Sequence, residues 1–267
     1  MRMLQLALLL LSILLLLAAP VITRAQADTV RPGNGRLQTS LLKPGLKQYL
    51  VYFQDPKKAT SLRMTLWLRD VRMETRQGTK TFLISQHWYG NDSSSYRSIF
   101  SVNSAEDFAP IYHNEQVNDK INACNWGPAD VTGADSVTGN ARKGYSMKFD
   151  APSLNWNLDI ETFEMLPLAE GKSFAIHFFE PGMEAPQYIL YKVTGSEEIG
   201  LMGGGKVDCW KLATENTFKG RTAVQTFWIS KRNHEFLREE DAFSGIYRYK
   251  VKLPGLAPGL LDRFTGQ

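Results

Sequence analysis

Leu62-Arg-Met-Thr-Leu-Trp-Leu-Arg69 changes character at every step. Leu62, Met64, Leu66 and Leu68 fall on one side, and Arg63, Thr65, Trp67 and Arg69 on the other. A period of two means a β-strand, because successive side chains point to opposite faces of a sheet. The leucine side predicts a dry face and the arginine side a wet one, with Trp67 on the wet side. The pattern returns near the C-terminus, where Tyr247, Tyr249, Val251 and Leu253 alternate with Arg248, Lys250 and Lys252.

Weaker alternation marks 48–53, 81–88, 97–102, 144–149, 174–179, 188–193, 207–212 and 223–230. Turn-forming residues separate most of these: Gly90-Asn91-Asp92, Asn118-Asp119, Pro181-Gly182, Gly203-Gly204-Gly205 and Ser244-Gly245. Connections this short imply antiparallel pairing, since parallel strands need long crossovers. Only 158–166 (LDIETFEML) has a helical spacing, through Ile160, Phe163 and Leu166, and Pro167 stops it. The expected fold is mainly β: a twisted antiparallel sheet or half-barrel, or two packed sheets, with one short helix as plug or cap.

The first residues carry an address. Arg2 is followed by an apolar run from Leu4 to Ile22, then Ala25-Gln26-Ala27. A positive start, an apolar middle and a small-x-small site make a secretory signal peptide, cleaved between Ala27 and Asp28. The chain then divides into a signal peptide at 1–27, an extended segment at 28–45, an N-terminal β region at 46–143 and a C-terminal β region at 144–267. The two β regions form one continuous domain or two, with the Gly-, Ala- and Asp-rich stretch 127–144 as a long loop or their joint. No second stretch of the mature chain approaches a membrane span, and charges on the outward faces of the best strands argue against a transmembrane barrel. Export places the protein in the periplasm or the envelope.

The 267-residue precursor has 31 basic and 27 acidic residues. Removing Arg2 and Arg24 leaves 29 against 27, scattered rather than striped, so nucleic acid is not an expected partner. An oxidising compartment permits a disulfide between Cys124 and Cys209. Each sits in an apolar strand-like segment, where a lone cysteine acts as a small buried hydrophobe.

From the short helix onward the order of segments is informative: Leu166-Pro-Leu-Ala-Glu-Gly-Lys172, the strand Phe174–Phe179, Tyr191-Lys-Val-Thr-Gly-Ser-Glu197, Val207-Asp-Cys-Trp-Lys211, Phe227-Trp-Ile-Ser230 and the closing strand Gly245–Leu253. Over 158–253 this resembles an exported bacterial family of unknown function, numbered 3108 among such families. The resemblance implies a twisted antiparallel sheet wrapped round a helix, as in the lipoprotein carriers LolA and LolB. It implies no catalytic residues.

The chemistry-bearing residues are dispersed. His87, His113, His177 and His234 lack the local spacing of a metal pair. His113 and Glu115 would share a face on a strand, but after Pro110 they read as a polar loop. Asp159, Glu161 and Glu164 lie on the helix, where acids are favoured near the N-terminus by the macrodipole. Glu239-Glu240-Asp241 reads as a solvated turn. Gly203-Gly-Gly-Lys206 lacks the upstream glycine and the hydroxyl residue of a phosphate loop. Gly195-Ser196 lacks the second glycine of a nucleophile elbow. Asn91-Asp-Ser93 is a glycosylation acceptor only in a eukaryotic secretory pathway.

No cofactor is implied. Six Trp, ten Tyr and fourteen Phe are many for this length, and aromatics on a wet face can line a groove for lipid or glycan. The expected function is a non-enzymatic envelope protein that binds an apolar ligand, a lipid or a lipoprotein on its curved sheet. The alternatives are a structural or assembly protein of the envelope, and a hydrolase of envelope polymers. Oligomeric state is not legible.

Overall fold

The computed structural model describes residues 26–58, 63–76, 78–218 and 221–255. The apolar run Leu4–Ile22, expected to be a signal peptide, therefore lies outside the described residues. In chain order the strands are β1 (Asp28–Val30), β2 (Gly45–Gln54), β3 (Arg63–Arg76), β4 (Thr79–Tyr89), β5 (Arg97–Ser104), β6 (Pro110–Val117), β7 (Lys120–Trp126), β8 (Asp130–Gly133), β9 (Ser146–Lys148) and β10 (Leu154–Asn155). After the short helix α1 (Asp159–Glu164) come β11 (Ser173–Phe179), β12 (Gln187–Gly200), β13 (Lys206–Phe218), β14 (Arg221–Ser230), β15 (Phe236–Phe243) and β16 (Ile246–Lys252). They build one sheet in the order β1-β11-β12-β13-β14-β15-β16-β2-β3-β4-β5-β6-β7-β8-β9, with β10 beside β11.

Pairing is antiparallel except at β11, whose outer edge carries β1 and β10 in parallel. The β16–β2 pair joins the C-terminal strands to the N-terminal ones, so one sheet runs through both β regions. Stretch 127–144 holds β8 and a tight turn in which a Cβ on Gly133 would collide with the Arg142 carbonyl. Ser244 and Gly245 both take positive φ, 52° and 81°, the combination a two-residue hairpin turn of matching twist requires.

The sheet curls until its two ends nearly meet. Trp126 and Phe149 pack on Phe179 across the seam at ring distances of 5.8 and 5.0 Å. Inside the curl lies α1, its Phe163 against Tyr191, Phe227 and Phe178. This is the main core, joined by Trp67, Tyr49, Phe236, Phe174 and Leu212.

The wet and dry faces of the two most regular strands are reversed. Trp67 and Arg69 of β3 point inward and are 1% and 0% exposed, while Met64 on the leucine side is 42% exposed. On β16, Lys250 is buried and Tyr247 is out in solvent. Charges presumed to face outward thus face the core, which removes that ground for setting a transmembrane barrel aside. Outward charges do occur on other strands, at Lys192, Lys211, Arg238 and Glu240. Among the described residues no helix is long and apolar enough to cross a membrane.

Candidate functional site

The inward charges meet their partners on and around α1. Arg69 donates from Nε to Glu161 Oε1 at 2.6 Å, and from Nη1 and Nη2 to the two oxygens of Glu164 at 3.0 and 2.7 Å. Glu164 also accepts from the Phe236 backbone N–H at 2.9 Å and from Lys47 at 3.4 Å. Burial alone would raise the Glu164 pKa. Arg69 and then Lys47 overcome it and hold the carboxyl at about 2. Two cations face two carboxylates, so this cluster is neutral as a whole. Glu161 and Glu164 are therefore not simply acids favoured by a helix end, as the sequence suggested, but the fully buried partners of Arg69 on β3.

A second charged group lies nearer the mouth of the curl. Glu239 on β15 is 1% exposed and lies 2.6 Å from both Arg248 and Lys250. The reading of 239–241 as a solvated turn is thereby corrected: these residues are mid-strand, and Glu239 points inward. Lys250 sits over the Trp67 ring at 5.2 Å. Asp159, at the start of α1, is raised to about 6 by burial, with Lys250 acting against the shift.

The third group joins β5 and β6 to the turn before α1. His113 and Glu115 lie on strand β6, not on a polar loop, and they do share its inner side. Each takes a different partner. Ser101 Oγ and His113 Nδ1 are 2.8 Å apart, and His113 Nε2 is 3.3 Å from Asn157 Nδ2. Glu115 accepts from Arg97 at 2.6 Å. The serine–histidine contact resembles a nucleophile and its base, but the two side chains are 0% and 2% exposed and sealed from substrate. Burial, then Arg97, lowers His113 to about 3, so its imidazole is neutral.

The other histidines stand apart. His87 contacts the Tyr96 hydroxyl at 2.7 Å, His177 donates to the Pro152 carbonyl at 2.9 Å, and His234 occupies a turn at φ 56°. Among the described residues no three of His, Cys, Asp and Glu form a metal-ligating group. Cys124 and Cys209 are both free and buried, in separate apolar clusters. Burial pushes their thiols up to about 11 and about 12, which leaves them inert at neutral pH. Asp28 opens β1 and makes ion pairs with Arg36 and Lys172 at 3.6 and 3.7 Å, directly after Ala27.

The concave side of the C-terminal strands is filled by α1 and its ring contacts except at the mouth of the curl. More space lies around the β3–β4 hairpin. A groove of about 650 Å³ runs beneath the projecting β3–β4 hairpin, with Leu42, Pro44, Met73, Phe82 and Ala105 as its apolar surface and Lys43 and Lys80 among its lining. On the outer face of the same hairpin a groove of about 790 Å³ is lined by Phe100, Val102, Ile111 and Tyr112. A smaller cavity of about 350 Å³ opens at the mouth, between Phe53 and Phe243.

Comparison with known proteins supports the architecture. A solved structure from Brucella abortus, described as a beta-barrel-like protein of domain of unknown function DUF1849, aligns with a TM-score of 0.51 at 8% identity, covering 79% of this chain and 96% of that one. At that identity the likeness concerns fold alone. No curated protein matches the sequence. A family pattern does match over residues 48–252, taking in the N-terminal strands as well as the stretch from the helix onward, and the chain belongs to that family, described as "Protein of unknown function (DUF3108)".

Proposed function

We propose that this is an exported envelope protein whose work is binding, and that it takes a lipid or the acyl part of a lipoprotein on its curved sheet. The reading includes removal of the leader between Ala27 and Asp28, and a carrier role of the LolA and LolB kind. The observation that carries it is the groove beneath the β3–β4 hairpin. Met73, 47% exposed, and the buried rings and aliphatics beside it offer an apolar bed. Lys43 and Lys80 outnumber the single lining carboxylate, Glu106, and supply positive charge for an anionic head group. Each methylene laid on that bed contributes about 0.8 kcal/mol.

A fluorescent fatty-acid titration of delipidated mature protein tests this. Saturable binding at micromolar concentration is expected, lost in Met73→Glu and weakened about fivefold when Lys43 and Lys80 are both changed to Glu. Absence of saturable binding would sink the reading. N-terminal sequencing of protein from the envelope should begin at Asp28.

A second reading, a structural or assembly role, is favoured by the outer groove. There Ile111 is 41% exposed beside Phe100, Val102 and Tyr112, on a face fit to hold a partner protein.

A further inference from the structure

At the mouth of the curl, five neighbouring strands each contribute one inward side chain to a single rung. Phe53 of β2 pairs with Arg248 of β16, Arg248 with Asp241 of β15, Asp241 with Gln225 of β14, and Gln225 with Thr214 of β13. The first four line the cavity of about 350 Å³, whose lip is Ala223, Phe243 and Ile246. Phe243 and Ile246 are 40% and 39% exposed, so the lip is apolar and open to solvent.

Three properties of the rung restrict what it can hold. Its charge is already balanced: Arg248 Nη2 lies 3.1 Å from Asp241 and 2.6 Å from Glu239, and Glu239 also takes Lys250. Within the rung no cation is left over to draw an anion; Arg63, outside it, lies over the Phe53 ring. Its hydrogen-bonding capacity, by contrast, is not used up. Arg248 Nε and Thr214 Oγ1 are buried and have no hydrogen-bond partner among the described residues. Desolvated polar atoms of this kind are normally satisfied, by protein or by something bound. Lastly, the polar groups stand beside rings. Phe53, with Arg63 held over it at 4.8 Å, and Phe243 flank the opening.

We propose that this rung is a binding site for a neutral polyhydroxylated ligand, a sugar residue at the end of a glycan. A sugar ring has an apolar C–H face to lay on a phenyl ring and hydroxyls that both donate and accept. The Gln225 carbonyl and the Asp241 carboxylate, which already takes a hydrogen bond from the Gln225 amide, accept, and Arg248 Nε donates. The volume is at the lower end of small-molecule sites and suits one ring rather than a chain. The site is distinct from the hairpin groove, so either can fail without the other.

Ligand-observed saturation-transfer NMR on the mature protein, with lactose, maltose and chitobiose as probes, tests the proposal. At least one sugar should bind saturably, with an affinity unchanged by added salt. Gln225→Ala should weaken it tenfold or more. Phe53→Leu keeps an apolar side chain on the rung while removing the ring, and should weaken binding severalfold. Tyr249→Ala, on the opposite face of β16, should leave it unchanged. The proposal is overturned if none of the three sugars saturates, if binding survives both rung substitutions, or if sulfate or acetate displaces the sugar.

Discussion

Arg69 is the most constrained side chain in the molecule: fully buried, with all three of its terminal nitrogens bonded to two carboxylates. Taking ions out of water is costly, and the geometry here recovers that cost only while every partner is present. Arg69→Met should therefore lower unfolding stability by about 3–5 kcal/mol, because it strands Glu161 and Glu164 without a counter-charge. Arg69→Met combined with Glu161→Leu and Glu164→Met should cost far less. Urea denaturation of the two variants checks the difference. This cluster also explains why the faces of β3 were misread. Along a strand, charge signals water only if no opposite charge waits inside. Here the partners are 92 and 95 positions later in the chain, on a helix whose acids have an ordinary explanation of their own.

At the level of elements, α1 has six residues and no side-chain N-cap, so it has little stability as an isolated helix. Packing holds it, chiefly through Phe163. Phe163→Ala should cost about 3–5 kcal/mol, read as a shifted urea midpoint with unchanged slope. The position of this helix was legible from its spacing, as were β2 to β5 and β11 to β14. The short strands β1, β8 and β10 were not recognised, and neither were the longer β6 and β15. On β6 the inward residues are His113 and Glu115, and on β15 they are Glu239 and Asp241, so polar side chains occupy the positions where aliphatics would mark a core face. A register shift opposite the start of β15, between Trp228 and Ile229, breaks the alternation further. The hairpin groove was illegible for a different reason: it is formed by segments some thirty to sixty positions apart that no local pattern connects.

For the whole molecule, buried titrating groups couple stability to pH, and three of them oppose one another in a definite window. Asp159 is raised to about 6 in the folded state from an ordinary 3.8, so the fold gains stability as pH falls through 6 toward 3.8. His113 is lowered to about 3 from 6.5, so the unfolded chain takes up a proton the fold refuses, and stability is lost below 6.5. Each slope is about 1.4 kcal/mol per pH unit, and between about pH 6 and 4 they oppose each other. Glu164, held at about 2 against 4.5, adds a loss as pH falls below 4.5. These three contributions nearly cancel from about pH 6 to 4.5 and then fall steeply, while His87 and His234, both lowered by burial, add a loss as pH falls below 6.5. In Asp159→Asn the compensation is gone, and the decline should begin near pH 6. Denaturation midpoints measured across that range distinguish the two.

The parallel pairing of β1 with β11 has a kinetic meaning. Asp28 lies beside Phe174, a separation of 174 − 28 = 146 residues. Among the described strands β1 precedes β11 by most of the chain, so it must wait for β11 to be made before it can pair, and that part of the β11 edge stays bare until it does. Closing so long a loop is slow, and an uncovered strand edge can meanwhile recruit a neighbouring chain. Refolding yield should therefore depend more on the residues around Asp28 than their number suggests, and a purification tag is better placed at the C-terminus than fused against that strand.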